Sequence, residues 1–164
     1  VPARAWTLPA MARTELEKML AIELHNGWDA QLTAARSRAR RPLRACNDTR
    51  MEDEDLRKHV YMNVQCVILD CNRVTIGDDV SFGPNVHIHA ATHPLDADER
   101  IKGPELSRPV TIGAKTWVGG GTLILPGVTV GEGVTLGAGG VVTKDVPPHV
   151  LAAGHPARVI RALR

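Results

Sequence analysis

The chain has 164 residues, and its 20 basic and 18 acidic side chains leave a formal net charge of +2. That length favours one compact domain with a small appendage, and the charge gives no electrostatic reason to expect a nucleic-acid partner. No run approaches the roughly 18 to 20 apolar residues of a membrane span, and the N-terminus lacks a charged-apolar-small leader pattern, so a soluble, cytoplasmic protein is expected. Hydrophobic residues make up 43%, yet rings are scarce: three Trp, one Tyr and one Phe. The core must therefore be aliphatic, which implies an interior too narrow for rings.

In chain order, VPARAWTLPA ahead of Met11 reads as an extension. The next stretch places Leu16, Met19, Leu20 and Leu24 at helical spacing. Thr14 with Glu17 suits a capping box, and Asn26-Gly27 suits the end of that helix. A second helix is expected from near Asp29 through the arginine-rich stretch Arg36 to Arg44, which reads as a solvated face given its acidic neighbours. Cys46, Cys66 and Cys71 follow no metal-ligand spacing and read as small buried hydrophobes.

The composition then changes. Thirteen of the 15 glycines lie between Gly77 and Gly140, whereas residues 1–58 hold 11 of the 20 basic side chains. From Ile76 the chain reads in sixes: IGDDVS, FGPNVH, IHAATH, then IGAKTW, VGGGTL, ILPGVT, VGEGVT, LGAGGV and VTKDVP. The first position is always apolar, Gly commonly follows, and the fifth is mostly Val or Thr. This pattern predicts short strands joined by tight turns, three units to a coil, with side chains 18 apart stacked along an axis. Ile112 should lie over Val130, Val118 over Leu136, and Ile124 over Val142.

PLDADERIKGPELSRP, residues 94–109, breaks the pattern. It is charged, carries three prolines and lacks inward aliphatics, so it reads as a loop thrown out from a corner, the kind of long loop that commonly carries function. The expected organisation is a helical segment over 1–58, a repeat domain over 59–147 with this loop, and a tail or helix over 148–164.

The run from NVQCVILDCN to ATHPLDADER, the sixes and the closing GHPARVIRAL together resemble the maltose and galactoside O-acetyltransferases, with the nodulation acetyltransferases close by. The resemblance extends to EKMLAIELHNGWD. It implies a left-handed parallel β-helix, a homotrimer, and acetyl-CoA bound in a groove between neighbouring subunits. His93 matches the family's catalytic histidine. An imidazole with an ordinary pKa near ~6.5 suits a general base that deprotonates an acceptor hydroxyl. Asn63 matches the asparagine that positions the acceptor, with Tyr61 and Asp70 on the sugar side, where an amide and a carboxylate suit a polyhydroxyl ligand. Asp70 also falls where an inward aliphatic is expected, a break in pattern that marks either a site or a corner cap.

On the donor side the resemblance implies Trp117, Gly120, Ala138, Thr143, Lys144, Arg158 and Arg161. The ring and small residues would wall the pantetheine arm, and the cations would meet phosphates. His87, His89 and His93 are dispersed by their spacing, whereas zinc needs ligands converging at about 2.0 to 2.1 Å, so no metal is expected. One departure stands out. The family carries a further stretch before the YxN segment, building a first coil, but here DEDLRK runs directly into HVYMN. Either that coil is lost or residues are missing from the chain. The function expected is acetyl-CoA-dependent acetylation of a sugar hydroxyl. Two alternatives remain at this point: a non-sugar hydroxyl acceptor, such as an antibiotic or amino acid, and a non-catalytic β-helix used for assembly.

Overall fold

The computed structural model describes residues 13–35, 37, 38 and 60–164. From Val60 the chain winds into a parallel β-helix with three faces. Face one stacks Val60–Met62, Val80–Phe82, Trp117–Val118, Thr135–Leu136 and Val150–Gly154. Face two stacks Val67–Leu69, His87–His89, Leu123–Ile124 and Val141–Val142, and face three stacks Val74–Ile76, Val110–Ile112 and Thr129–Val130. Ile112 pairs with Val130, Val118 with Leu136 and Ile124 with Val142, the 18-residue register read from the sixes. The coil at each end departs from it: Val60 pairs with Val80, and Thr135 with Leu151.

Both the first and the fifth residue of a six point inward. Val86 with Ile88, Val128 with Val130, and Val134 with Leu136 are all buried in one core cluster. At two of the three sixes with Thr in the fifth place the buried hydroxyl donates to a backbone carbonyl, Thr116 Oγ1 to Gly131 at 3.1 Å and Thr122 Oγ1 to Gly119 at 2.6 Å, while Thr92 is exposed where the loop leaves the tube. These bonds satisfy a polar group that burial would otherwise penalise. The sole Phe, Phe82, is fully buried in this core, so the tube admits one ring.

The second-position glycines answer to crowding. A Cβ on Gly83 would lie 2.5 Å from the backbone nitrogen of Gly120, and one on Gly113 would lie 2.5 Å from that of Glu132. The left-handed turn residue is instead the fourth of the six, as at Asp79, Asn85, Lys115 and Gly121. The lowest coil has a neighbour on one side only, and there Val60, Met62, Ile68, Val74 and Ile76 are only partly buried.

At the N-terminal end Thr14 does form a capping box with Glu17 at the start of the helix Glu15–Leu20. Bonds from the Thr14 backbone N–H and hydroxyl hold the Glu17 carboxyl below its ordinary pKa. The helix is shorter than the apolar spacing predicts. It caps at Ala21, and Ile22 turns into the left-handed region. His25–Asn26 then leaves as a strand, so Leu24 is not on the helix. Residues 30–35 are helical, with the Asp29 carboxylate accepting from the Gln31 and Leu32 amides. The extension, Arg36, Arg40 to Arg44, Cys46 and the DEDLRK junction lie outside the described residues. Cys66 and Cys71 are buried. The tail is not helical: Ala157–Ala162 folds back antiparallel on Val150–Gly154. Among the described residues no helix is long and apolar enough to cross a membrane.

Gly113→Ala should cost about 1–3 kcal/mol through overpacking, and Ile124→Ala about 2–5 kcal/mol through loss of buried aliphatic volume. Urea denaturation of the two variants checks both, and a loss smaller for Ile124→Ala than for an exposed substitution would contradict the packing described.

Candidate active site

The loop leaves the tube earlier than its composition suggests. Ala91–Thr92 pairs antiparallel with Pro104–Ser107, whose other edge pairs with His25–Asn26, and a short helix, Ala97–Arg100, forms the tip between them. In this register His93 follows the Thr92 and Leu106 pair. Its ring is exposed, and Nδ1 lies 3.3 Å from the Pro104 carbonyl oxygen. A carbonyl can only accept, so Nδ1 carries the proton and donates it there, which leaves the lone pair on Nε2.

The strand that holds His93 is itself anchored by Asn72, buried at the corner between faces two and three. Its Nδ2 donates to the Met19 carbonyl at 2.9 Å and to Ser107 Oγ at 3.1 Å, while Oδ1 accepts from the Arg73 amide at 2.7 Å. One amide thus ties helix, loop and tube. Sequence reading missed Asn72 and Pro104 because their partners are remote in the chain; DCNRV alone looks like any polar corner.

The remaining predicted residues divide between two edges. Tyr61, Ser81, Trp117, Thr135, Leu151 and Arg161 occupy one cross-strand row of face one. At ~4.8 Å per strand that row is roughly 24 Å long. Trp117 is 46% exposed on it, and Arg158 lies on the same tail strand. At the adjoining corner, the Asn63 amide donates to Phe82, and Gly120 and Ala138 stack above, the Gly139 amide donating to Gly120 at 2.9 Å. Asp70, His93, Thr143 and Lys144 lie along the other corner of face two. Thr143 and Lys144 are exposed; Asp70, Tyr61 and Asn63 are half-buried. Asn63 and Asp70 stand at opposite ends of face two, with the turn at Val64 and Gln65 and the strand Val67–Leu69 between them. A single chain therefore does not bring the two sets together.

His87 and His89 both belong to the strand on face two, their ring centroids 5.8 Å apart. His87 Nε2 is 3.1 Å from Asn85 Oδ1. Burial, and secondarily the neighbouring His87, push the His89 imidazole below its ordinary pKa. Among the described residues no group of three or more His, Cys, Asp or Glu is placed to hold a metal ion.

Residues 18–61 match the maltose acetyltransferase hexapeptide capping motif and 109–144 the bacterial transferase hexapeptide of six repeats. Nodulation protein L of Rhizobium meliloti is 41% identical, covering 91% of this chain and 99% of its own. The chain belongs to the maltose and galactoside O-acetyltransferase family. It is an acetyltransferase of the hexapeptide-repeat class. The crystal structure of a maltose O-acetyltransferase from Clostridium difficile superposes with a TM-score of 0.71 at 34% identity, over 93% of this chain and 99% of that one. A hexapeptide-repeat acetyltransferase from Vibrio cholerae complexed with acetyl-coenzyme A gives 0.76 at 30% identity, over 93% and 100%. The alignment with nodulation protein L runs over 181 positions, whereas 91% of 164 residues is about 149. The relative thus carries about 30 positions without a counterpart here.

Because the folded-state pKa of His89 is lowered from 6.5, the unfolded chain takes up the proton first. This group has no effect on stability well above pH 6.5 and becomes destabilising as pH falls through 6.5 toward the folded value. Thermal melts at about pH 7.5 and about pH 5.5 should give a lower Tm at the acid end, with the gap narrowed in His89→Gln.

Proposed function

We propose that this protein transfers the acetyl group of acetyl-CoA directly to a sugar hydroxyl, with His93 as general base. The observation that carries this reading is the hydrogen bond from His93 Nδ1 to Pro104, which fixes the tautomer with its basic nitrogen, Nε2, unprotonated. The acceptor O–H gives its proton to Nε2 as its oxygen attacks the thioester carbonyl. The tetrahedral oxyanion is met by backbone N–H groups of the glycine-rich turns, and its collapse expels the CoA thiolate, which recovers the proton from His93. Tyr61, Asn63 and Asp70 hold the acceptor. Trp117, Gly120 and Ala138 flank the pantetheine arm, Thr143 and Lys144 border it from the other side, and Lys144, Arg158 and Arg161 meet the phosphates.

Two neighbouring copies of a homotrimer complete each site. The separation of Asp70, His93, Thr143 and Lys144 from the Trp117 edge by the width of face two supports this arrangement, because one copy's His93 edge can meet the next copy's Trp117 edge in a shared groove. Exposed apolar side chains support it too: Val64 and Val67 on the tube and Leu95 and Ile101 on the loop are the kind of surface an assembly covers. A water-filled cytoplasmic setting, where acetyl-CoA and sugars are both available, suits the reaction.

His93→Ala should lower turnover by roughly 10² to 10⁴ while calorimetry still detects CoA binding; near-normal acetylation would remove His93 from the base role. A panel of sugar, aminoglycoside and amino-acid acceptors, read by CoA release, decides the acceptor class. Refolding His93→Ala together with Asn63→Ala, each inactive alone, should restore part of the activity, since mixed trimers contain interfaces with both edges intact. No recovery in verified mixed assemblies would place each site within one chain.

A further inference from the structure

The three faces of the tube differ on the outside. The residue before each inward first position points outward, and on face three that row is Thr75, Thr111 and Thr129. On face one it is Ser81, Trp117 and Thr135, and on face two it is Val67, His87, Leu123 and Val141. The second place of the six divides the faces in the same way. Throughout the sixes it is glycine on faces one and three, as at Gly83 and Gly113, whereas face two has His89, Leu125 and Thr143 there. Face two therefore has the broader and more aliphatic exterior, and these positions on it hold no acidic residue, Lys or Arg.

A flat aliphatic strip without charges has the composition of an interface core rather than of a solvated wall. The corners identify its occupant. Asn63 and Gly120 stand on one side of face two, and Asp70 and His93 on the other. Three copies about a common axis turn one face inward, and each corner bounding that face adjoins the opposite corner of a neighbour. Faces one and three are each bounded by one of these two corners. Turned inward, either would leave half of every shared site unmatched. Face two is bounded by both, so copies meeting across it bring the Gly120 corner of one to the His93 corner of the next.

We propose that face two is the surface on which copies of this chain meet, turned toward a threefold axis, and that the neighbouring rings of His87 and His89 make this contact acid-labile. The inference rests on the shared-site reading above. The two ring centroids are 5.8 Å apart, and His87 Nε2 is 3.1 Å from Asn85 Oδ1. The strands stacked on theirs bring Val67 and Leu69 from below and Leu123 from above, all uncharged. Asp70 follows Leu69 at the corner, and His93 follows Thr92 on the same side; a second copy adds the same aliphatic strip. With both rings neutral the contact is apolar. A proton on either ring sets a cation beside the other ring and against aliphatic surface, which costs desolvation and like-charge repulsion. Burial, and secondarily His87, already hold the His89 imidazole below its ordinary pKa in one chain, and a neighbour's surface deepens that burial. The assembled form therefore binds fewer protons than separate chains. Assembly is complete well above pH ~6.5 and weakens as pH falls through it.

Sedimentation equilibrium of the full chain over a dilution series at about pH 7.5 and about pH 5.5, with circular dichroism to follow folding, tests this. The wild type should be trimeric at the higher pH. At the lower one its dissociation constant should rise by up to about tenfold for each copy, hence up to ~10³ for the trimer, with the chains still folded. His87→Gln combined with His89→Gln should abolish that rise, and His93→Gln should keep it. Val67→Glu should give folded single chains at about pH 7.5, whereas Thr75→Glu, in the same coil on face three, should leave trimers. An unchanged wild-type dissociation constant, or a rise that persists in the double variant, overturns the role of the histidine pair. Trimers of Val67→Glu, or single chains of Thr75→Glu, overturn the face. A wild-type trimer that behaves as expected but acetylates no acceptor ends the function proposed above and leaves this inference standing. Wild-type single chains at the higher pH overturn both the face and the shared site.

Discussion

Close approach of successive coils is the constraint on which the rest of this structure depends. Parallel strands in a ladder lie ~4.8 Å apart, and at the second position of a six the backbones come nearer than any Cβ allows, as at Gly83 against Gly120. Glycine at these points lets coils stack in strict register. Strict register in turn aligns the first and fifth residues of each six into continuous inward columns of Ile, Leu and Val. The same regularity orders the outside. Tyr61, Trp117 and Arg161 occur far apart in the chain, yet they fall in one row because each coil repeats the last.

A regular tube offers no cleft, and the loop supplies one without disturbing the register. Ile88 and Ile112 are separated by 24 residues where successive faces need six, so the insertion is 18 residues, and the sixes resume in phase. Val74 still pairs with Val110 across it. The loop is held by backbone pairing on both edges of Pro104–Ser107 and by the buried amide of Asn72. His93 is therefore exposed but oriented by a fixed carbonyl, as the base role proposed for it requires. The N-terminal helix acts through the same anchor: its Met19 carbonyl meets Asn72, and the strand that follows it pairs with the loop.

The residues proposed for donor and acceptor binding are divided between edges of the tube, so that one chain presents edges and not a closed site. A triangular coil places its corners a face apart. Residues that resemble one continuous site in the linear sequence thus fall on two corners, Asn63 and Gly120 on one and His93 and Lys144 on the other. Cationic residues at the tail and top coil sit where a phosphate-bearing ligand running along the axis would end.

Much of this was legible in the residues themselves. The sixes determined the tube, its 18-residue register, its aliphatic core and the position of the loop, because each of these follows from a local rule repeated many times. The capping box at Thr14 was legible for the same reason. Local rules failed where partners are distant. The apolar spacing around Leu24 suggests a longer helix, but pairing of His25–Asn26 with the loop outweighs helical propensity, and GHPARVIR becomes a strand because an open edge of face one is available to it. The roles of Asn72 and Pro104 exist only once helix, loop and tube have met. The sequence by itself determined the repeating wall and named the residues on it; the tertiary structure alone decided which corner each one occupies, because a corner is set by how many residues the chain has wound, not by what stands beside it.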